Sequence, residues 1–133
     1  MRNYGLYIGG EFVRADTGPT FGSLNPYTGE IWANLREATT EEVNMAVDAA
    51  SVAQKKWWAT NGAARAEILN HIATVITENA AEMAIFESTD NGKIIRETRS
   101  QMLFAARLFR FYAGYADKLY GMTIPMDQTT MLD

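Results

Sequence analysis

The hydrophobic pattern of this chain changes its period near Thr39, and this change limits the folds that the chain can adopt. Before Thr39, β-branched and aromatic residues occur in short runs separated by Gly, Pro and Asn. After Thr39, apolar residues recur every three or four positions, as they do on one face of a helix. Strands therefore come first and helices follow, without the strand–helix alternation of a complete doubly wound fold. We predict an α/β chain with a short N-terminal antiparallel meander followed by about four amphipathic helices.

The strand-rich part is predicted to hold a hairpin and two further strands. Residues 6–13 place two β-rich pieces around Gly9-Gly10, a dipeptide that tolerates the positive φ of a two-residue turn. Residues 20–24 and 31–35 have the composition of strands, and the segment 25–29, Asn-Pro-Tyr-Thr-Gly, has turn composition. Consecutive strands joined by turns of this kind are typical of a meander.

Local capping signals delimit the predicted helices. Thr39 and Glu42 have the spacing of a capping box, in which each side chain pairs with the backbone N–H of the other residue. Asn-Gly pairs and a further Asn supply the other boundaries. The first helix is expected to end at Asn61-Gly62, a second to start near Ala63, a third to start at Asn79 and end at Asn91-Gly92, and the last to run from about Arg96 to Leu119.

Length, charge and cysteine content exclude several classes of protein. A chain of 133 residues that is 47% hydrophobic is expected to form one domain with a core. Its net charge of -4 argues against a nucleic-acid partner, which requires a basic face. No apolar run has the length of a membrane span, and the N-terminal residues lack the apolar stretch of a signal peptide. The absence of cysteine leaves no disulfide and no thiolate, so we expect a cytoplasmic protein without a membrane partner.

The stretch Glu-Ser-Thr-Asp-Asn-Gly-Lys, residues 87–93, combines carboxylates, hydroxyls and a lysine in the manner of an active site. The favoured interpretation is a helix end, with Asn91-Gly92 as the left-handed cap and Lys93 at the negative end of the helix dipole. Asp90 fits this interpretation poorly, because a carboxylate near a helix C-terminus is electrostatically disfavoured. A compensating cation is expected there, and the oxygen-rich surroundings suit a hard ion.

The other candidates favour structural roles. His71 is the single histidine, and with no cysteine and no serine at a recognisable elbow it has no evident partner for catalysis. The segment 55–58, Lys-Lys-Trp-Trp, is interpreted as packing at a helix end rather than as a membrane or stacking surface. The aromatic residues of the last helix are interpreted as core rather than as a cofactor site. Taken alone, these residues form no complete catalytic group.

Six motifs follow one another along the chain: LYIGGEFV at 6–13, NPYTGE at 25–30, ARAEIL at 64–69, DNGK at 90–93, FYAGYADKLYG at 111–121 and TIP at 123–125. This series closely resembles the N-terminal part of the NAD(P)-dependent aldehyde dehydrogenases. The resemblance covers almost the whole chain, and the spacing between the motifs agrees with that of the family throughout. Lys93-Ile94 departs from the family, which usually has Lys-Pro.

The resemblance implies that residues 1–133 are the N-terminal part of a coenzyme-binding domain, with the catalytic domain absent. In the family, a cysteine thiolate attacks the aldehyde, hydride passes to NAD or NADP, and a glutamate helps water to release the acid. Those residues lie later in the family's sequences, so no catalytic or cofactor-binding residue is transferred to this chain. The complete protein is expected to take an aldehyde substrate and to form a homo-oligomer, whereas the chain alone is expected to be inactive.

The resemblance also implies a monovalent cation, potassium or sodium, near the helix end at residues 90–93. In several family members an aspartate and backbone oxygens hold this ion, and the corresponding residues here are Asp90, Ser23 and Leu24.

Two other hypotheses remain open. The chain could be a free-standing, non-enzymatic module that binds a partner through exposed helix faces, or a segment recruited to assemble with a full-length dehydrogenase. A reading frame that continues to a cysteine-bearing stretch would favour the dehydrogenase.

Overall fold

The computed structural model describes residues 1–121, 124–125 and 131–132, and it confirms the predicted α/β class. Thr123 of the last family motif lies outside the described residues. A 3₁₀ turn occupies Ala15–Thr17. The strands are β1 (Arg2–Tyr4), β2 (Leu6–Ile8), β3 (Glu11–Val13), β4 (Thr20–Leu24), β5 (Ile31–Arg36), β6 (Ile124–Pro125) and β7 (Met131–Leu132), and the helices are α1 (Thr40–Ala59), α2 (Gly62–Asn91) and α3 (Ile95–Ala113).

The N-terminal strands form two separate sheets. Strands β2 and β3 pair as the predicted hairpin, and Gly9 and Gly10 have φ values of 61° and 92° in its turn. Strands β4 and β5 pair antiparallel, as predicted. Strand β1 was not predicted, and it lies parallel to β5 at the edge of a sheet with the order β1-β5-β4. The predicted antiparallel pairs are thus present, and β1 adds a parallel strand whose three exposed residues carry no alternating pattern.

The structure describes three long helices instead of the four that the sequence predicted. Helix α2 runs without interruption through Asn79, whose side chain donates to the carbonyl oxygen of Val75 at 2.8 Å. Asn79 thus bonds backwards to the preceding turn and caps nothing. The helix starts instead at Asn61, whose side chain accepts a hydrogen bond from the Ala64 N–H at 2.9 Å. Asn61 was predicted to end the first helix, and it begins the second.

Helix α3 ends at Ala113, six residues before the predicted end at Leu119. Beyond Ala113 the chain turns and passes over the start of α2. A Cβ placed at Gly62 would lie 2.6 Å from the carbonyl oxygen of Ala116, so only glycine permits this approach. The aromatic residues beyond Ala113 continue the apolar pattern of the helix, but this packing interrupts the helix itself.

Helices α2 and α3 form an antiparallel pair with small residues between them. The buried residues are Ala73, Ala80 and Ala84 on α2 and Thr98, Ala106 and Ala113 on α3. Thr98 is fully buried, and its hydroxyl donates to the carbonyl oxygen of Ala84 at 3.1 Å. Small side chains bring the helix axes close together, so the pair is tight but covers little of the larger apolar surface.

Helix α1 buries none of its residues and makes its main described contact with β2. Trp58 is 77% exposed at its C-terminal end, so the predicted packing of the tryptophan pair is absent for this residue. None of the helices in the described part of the chain combines the length and hydrophobicity required to cross a membrane.

Candidate functional site: the carboxylate at the end of helix α2

Asp90 lies in the last turn of α2, and the helix ends as the sequence predicted. Gly92 adopts a left-handed φ of 76°, and its N–H donates to the carbonyl oxygen of Ser88 at 3.0 Å. This is the glycine-terminated end expected for an Asn-Gly pair. The Asp90 side chain remains exposed at the helix end that carries the negative pole of the dipole.

The turn between β4 and β5 packs against this helix end. Its backbone is closed by hydrogen bonds from the Gly29 N–H to the Asn25 carbonyl at 2.8 Å and from the Tyr27 N–H to the Asn25 side chain at 2.9 Å. A Cβ added at Gly92 would lie 2.8 Å from Cγ of Pro26, so the two turns are in close contact. The family motifs at residues 25–30 and 90–93 therefore meet in space.

Two side chains from the sheet donate to the Asp90 carboxylate. The Ser23 hydroxyl donates to Oδ1, and the Trp32 indole donates from Nε1 to the same oxygen at 3.1 Å. The structure thus brings together Ser23 and Asp90, which the resemblance had placed in one site although 67 residues separate them. Trp32 was missed, because its side chain gives no sign in the sequence of contacting a residue 58 positions away.

A β-bulge places Trp32 at this site. Ser23 pairs with Ala33, but Leu24 pairs with Ile31, so Trp32 is the extra residue of β5. A bulge of this kind reorients the side chain of the additional residue and leaves it without a regular partner. The Leu24 side chain carries no oxygen, so only its backbone carbonyl could take part in the predicted ion site, as the resemblance implies.

Asp90 has neutral hydrogen-bond donors but no cationic partner in the described part of the chain. No Lys, Arg or His nitrogen of the described residues lies within 4.0 Å of its carboxylate. Lys93, the nearest lysine in sequence, instead binds Oε1 of Glu87 at 2.7 Å and Oε1 of Gln101 at 3.0 Å. The Lys93 ammonium lowers the pKa of Glu87, with a smaller contribution from the Asn91 amide. Among the described residues, the Asp90 carboxylate therefore has only neutral partners.

The donor set fits a hard monovalent cation better than a transition metal. The described residues contain no cluster of three His, Cys, Asp or Glu that could hold a metal ion. One carboxylate, one hydroxyl and nearby backbone oxygens are the ligand types that hard cations prefer. The single negative charge of the Asp90 carboxylate also matches the single positive charge of a monovalent cation. The residues present therefore fit the ion that the resemblance implies.

An aromatic cleft of about 310 Å³ adjoins the carboxylate, with Tyr4, Trp32, Phe86, Glu87 and Asp90 among its lining residues. The Trp32 ring stacks on Phe86 with centroids 6.4 Å apart, and Tyr4 meets Trp32 edge-on at 6.3 Å. These contacts join β1, β5 and the end of α2 around Asp90.

Two helix N-termini in the described part of the chain are capped by their own side chains. The N-terminus of α1 is closed by the predicted capping box, in which the Glu42 N–H donates to Thr39 Oγ1 at 3.2 Å and the Thr39 N–H donates to Glu42 Oε2 at 2.8 Å. The Asn61 side chain caps α2 by accepting a hydrogen bond from the Ala64 N–H. These two helix N-termini therefore use their own side chains where a phosphate would otherwise bind. His71 is exposed on α2, and with no cysteine in the sequence there is no thiolate for it to activate.

Comparison with known proteins assigns the chain to a family. The family model described as "Aldehyde dehydrogenase family" matches residues 12–132. A (Z)-2-((N-methylformamido)methylene)-5-hydroxybutyrolactone dehydrogenase from Acinetobacter baylyi is 44% identical over 133 residues, which are 98% of this chain and 27% of that protein. This chain thus spans about a quarter of the length of that relative.

Solved structures agree with this assignment. HpcC from Thermus thermophilus has a TM-score of 0.90 at 37% identity, covering 95% of this chain and 25% of its own. PnpE, solved in complex with nicotinamide adenine dinucleotide, has a TM-score of 0.86 at 36% identity, covering 93% of this chain and 26% of its own. The family model spans far more than half of the sequence, and the backbone agrees with that of these structures. The chain belongs to the aldehyde dehydrogenase family.

Proposed function

We propose that this chain is the N-terminal part of the coenzyme-binding domain of an enzyme that oxidises an aldehyde to a carboxylic acid, with NAD or NADP as the hydride acceptor. The observation that supports this proposal is the family match over nearly the whole sequence, together with the same backbone in dehydrogenases of known structure. A cytoplasmic location and a homo-oligomeric state remain predictions from the sequence and the resemblance.

The chain by itself lacks the means to carry out the reaction. Attack on an aldehyde carbon in this family requires a cysteine thiolate, and the 133 residues contain no cysteine. The cofactor supplies the hydride chemistry when it is bound. The glycines of the sequence form no G-x-G-x-x-G phosphate loop. We therefore assign the chain a structural contribution to the enzyme and no catalytic step.

That contribution is a helical layer against the nucleotide-binding sheet of the complete domain. Phe104, Leu108 and Phe111 form an apolar strip on α3 that is between 41% and 55% exposed. An amphipathic helix normally buries such a strip against another element. In this proposal, later residues of the same protein supply that element.

The first test is enzymatic. Residues 1–133 alone are expected to produce no NADH or NADPH above the buffer rate with any aldehyde, because the nucleophile is absent. The intact protein that carries this sequence is expected to turn over with at least one aldehyde and one of the two cofactors. Absorbance of the reduced cofactor measures both. Turnover by the isolated chain would contradict the proposal, and an inactive intact protein with no downstream cysteine would favour the non-enzymatic interaction module.

We further propose that Asp90 and the backbone oxygens of Ser23 and Leu24 hold a potassium or sodium ion. The support is the lack of a cationic partner for Asp90 among the described residues, together with the contact between Asp90 and Ser23. An ion here would also offset the repulsion between the carboxylate and the helix C-terminus.

The second test is ion-specific stabilisation of the intact protein. We expect a higher thermal midpoint in potassium or sodium chloride than in N-methylglucamine chloride at the same ionic strength. Asp90→Ala should abolish the difference while preserving the cap, because Gly92 ends the helix through its backbone. Glu82→Ala, at an exposed position of the same helix, is the matched control. Equal thermal midpoints of the parent protein in all three salts would contradict the ion site, and residues 90–93 would then serve only to end the helix.

A further inference from the structure

We propose that Trp32 is a positioning residue for the Asp90 carboxylate, holding Oδ1 through its indole N–H so that Oδ2 is presented to the cation. The inference rests on the ion site proposed above. It assigns to that site a side chain that does not itself touch the ion.

The contact between Trp32 and Asp90 originates in the bulge of β5. Trp32 is the extra residue of the bulge in β5, opposite the junction of Ser23 and Leu24. The same irregularity therefore places the indole beside Asp90 and interrupts the strand pairing at the two residues whose backbone oxygens are proposed to bind the ion. A single backbone feature thus lies beside both the positioning group and the proposed backbone ligands.

Two aromatic neighbours hold the Trp32 indole in place. Its ring stacks on Phe86 at an interplanar angle of 24° and meets Tyr4 at 63°. The guanidinium of Arg2 lies 4.5 Å from the centre of the Phe86 ring and extends the stack. Aromatic contacts on two sides fix the direction in which Nε1–H points.

The hydrogen bond from Trp32 helps to orient the Asp90 carboxylate. The terminal torsion of an aspartate is broad, so an exposed carboxylate samples many orientations. Here the indole and the Ser23 hydroxyl both donate to Oδ1. Two donors on one oxygen fix the plane of the carboxylate, and both hydrogen bonds found within the described residues leave Oδ2 available. The carboxylate is thus oriented before the ion arrives, and binding loses less rotational freedom.

The test replaces the indole by a ring without the N–H. In the intact protein, Trp32→Phe should weaken the apparent affinity for potassium by about tenfold or more, the usual scale for loss of a group that orients a ligand. The affinity is read from the thermal midpoint during titration of potassium against N-methylglucamine at constant ionic strength. Trp58→Phe, at a tryptophan that is 77% exposed, is the matched control and should retain the parental affinity.

Two results of this titration distinguish the hypotheses. A parent protein that responds to potassium and a Trp32→Phe variant with the same affinity would overturn the role of Trp32 and leave the ion site standing. A parent protein with no ion-specific response would overturn the ion site and the role of Trp32 with it.

A second measurement avoids dependence on a variant that fails to fold. In the intact protein labelled with 5-fluorotryptophan, the Trp32 fluorine resonance should shift on addition of potassium, with the same midpoint as the thermal titration. Asp90→Ala should abolish the shift, whereas Trp58 should not respond. A Trp32 signal that does not move while potassium stabilises the protein would overturn the inference.

Discussion

At the scale of single residues, the buried guanidinium of Arg36 connects the sheet to the start of α1. It is only 8% exposed, and its guanidinium donates to Thr17 at 3.1 Å and to Glu42 at 2.6 Å. Glu42 is also the reciprocal member of the Thr39 capping box. The pKa of Glu42 is lowered, chiefly by the hydrogen bond from the Thr39 backbone N–H and then by the Arg36 side chain.

The lowered pKa predicts a pH dependence that Glu42→Gln should reduce. Because the folded pKa lies below the ordinary value of 4.5, the stabilisation is complete above that value and is lost as the pH falls through the folded pKa. We expect the variant to be less stable than the parent at neutral pH and to lose less stability on acidification. Denaturant midpoints measured from about pH 3 to 7 follow the charge of Glu42. Glu41→Gln is the control, and parallel curves for Glu42→Gln and the parent would contradict the prediction.

At the scale of elements, two asparagines that both suggested helix boundaries in the sequence have different roles in the structure. Asn61 accepts from the N–H of Ala64 and starts α2, whereas Asn79 lies inside that helix and donates to Val75. A cap needs free N–H groups ahead of it, and these exist only at a helix start. Around Asn79 the burial of Ala73, Ala80 and Ala84 against α3 continues the helix through the predicted boundary.

Alanine substitution separates the two roles. Asn61→Ala should lower the free energy of unfolding of the intact protein by about 1 kcal/mol, because a capping hydrogen bond is lost. Asn79→Ala should leave it unchanged or raise it by up to about 0.7 kcal/mol, because alanine is the better residue inside a helix. Chemical denaturation measures both. If Asn79→Ala also lowered the free energy of unfolding by about 1 kcal/mol, Asn79 would be a helix cap, as the sequence suggested.

At the scale of the whole molecule, the described residues leave much apolar surface uncovered. On and just beyond α3, Phe104, Phe111, Tyr112 and Tyr115 are between 53% and 60% exposed. They were interpreted from the sequence as core residues, but none of the described residues covers them fully. Fully burying each such side chain would contribute on the order of 1.5–3 kcal/mol, so the chain alone has a strong tendency to associate.

The isolated chain is therefore expected to self-associate, or to be partly molten, and to bind a dye that reports apolar surface. Phe111→Asp combined with Tyr115→Lys should reduce self-association while retaining helix content, because both side chains are more than half exposed. Light scattering together with circular dichroism measures the two properties. Ser100→Asp with Gln54→Lys adds the same charges at exposed polar positions and should not change association. A compact, dye-silent parent monomer would contradict the prediction, and unfolding of the Phe111 and Tyr115 double variant would show that the strip is a core.

Features whose causes lie within a few residues could be predicted from the sequence. The Gly9-Gly10 turn, the Thr39–Glu42 capping box and the helix end at Gly92 each follow from local backbone preferences and short-range hydrogen bonds. The ordered series of motifs was also sufficient to identify the family. It placed Ser23 near Asp90 through the resemblance, whereas no local rule would have done so.

Tertiary structure alone decided the features that join distant parts of the chain. The parallel pairing of β1 with β5, the continuation of α2 through Asn79 and the end of α3 beside Gly62 all depend on contacts between separate elements. The hydrogen bond from Trp32 to Asp90 spans 58 residues and depends on a one-residue bulge. The hydrophobic period and the capping residues indicate which secondary structure a segment prefers by itself. Packing between elements contributes further free energy, which overrides this local preference wherever the two disagree.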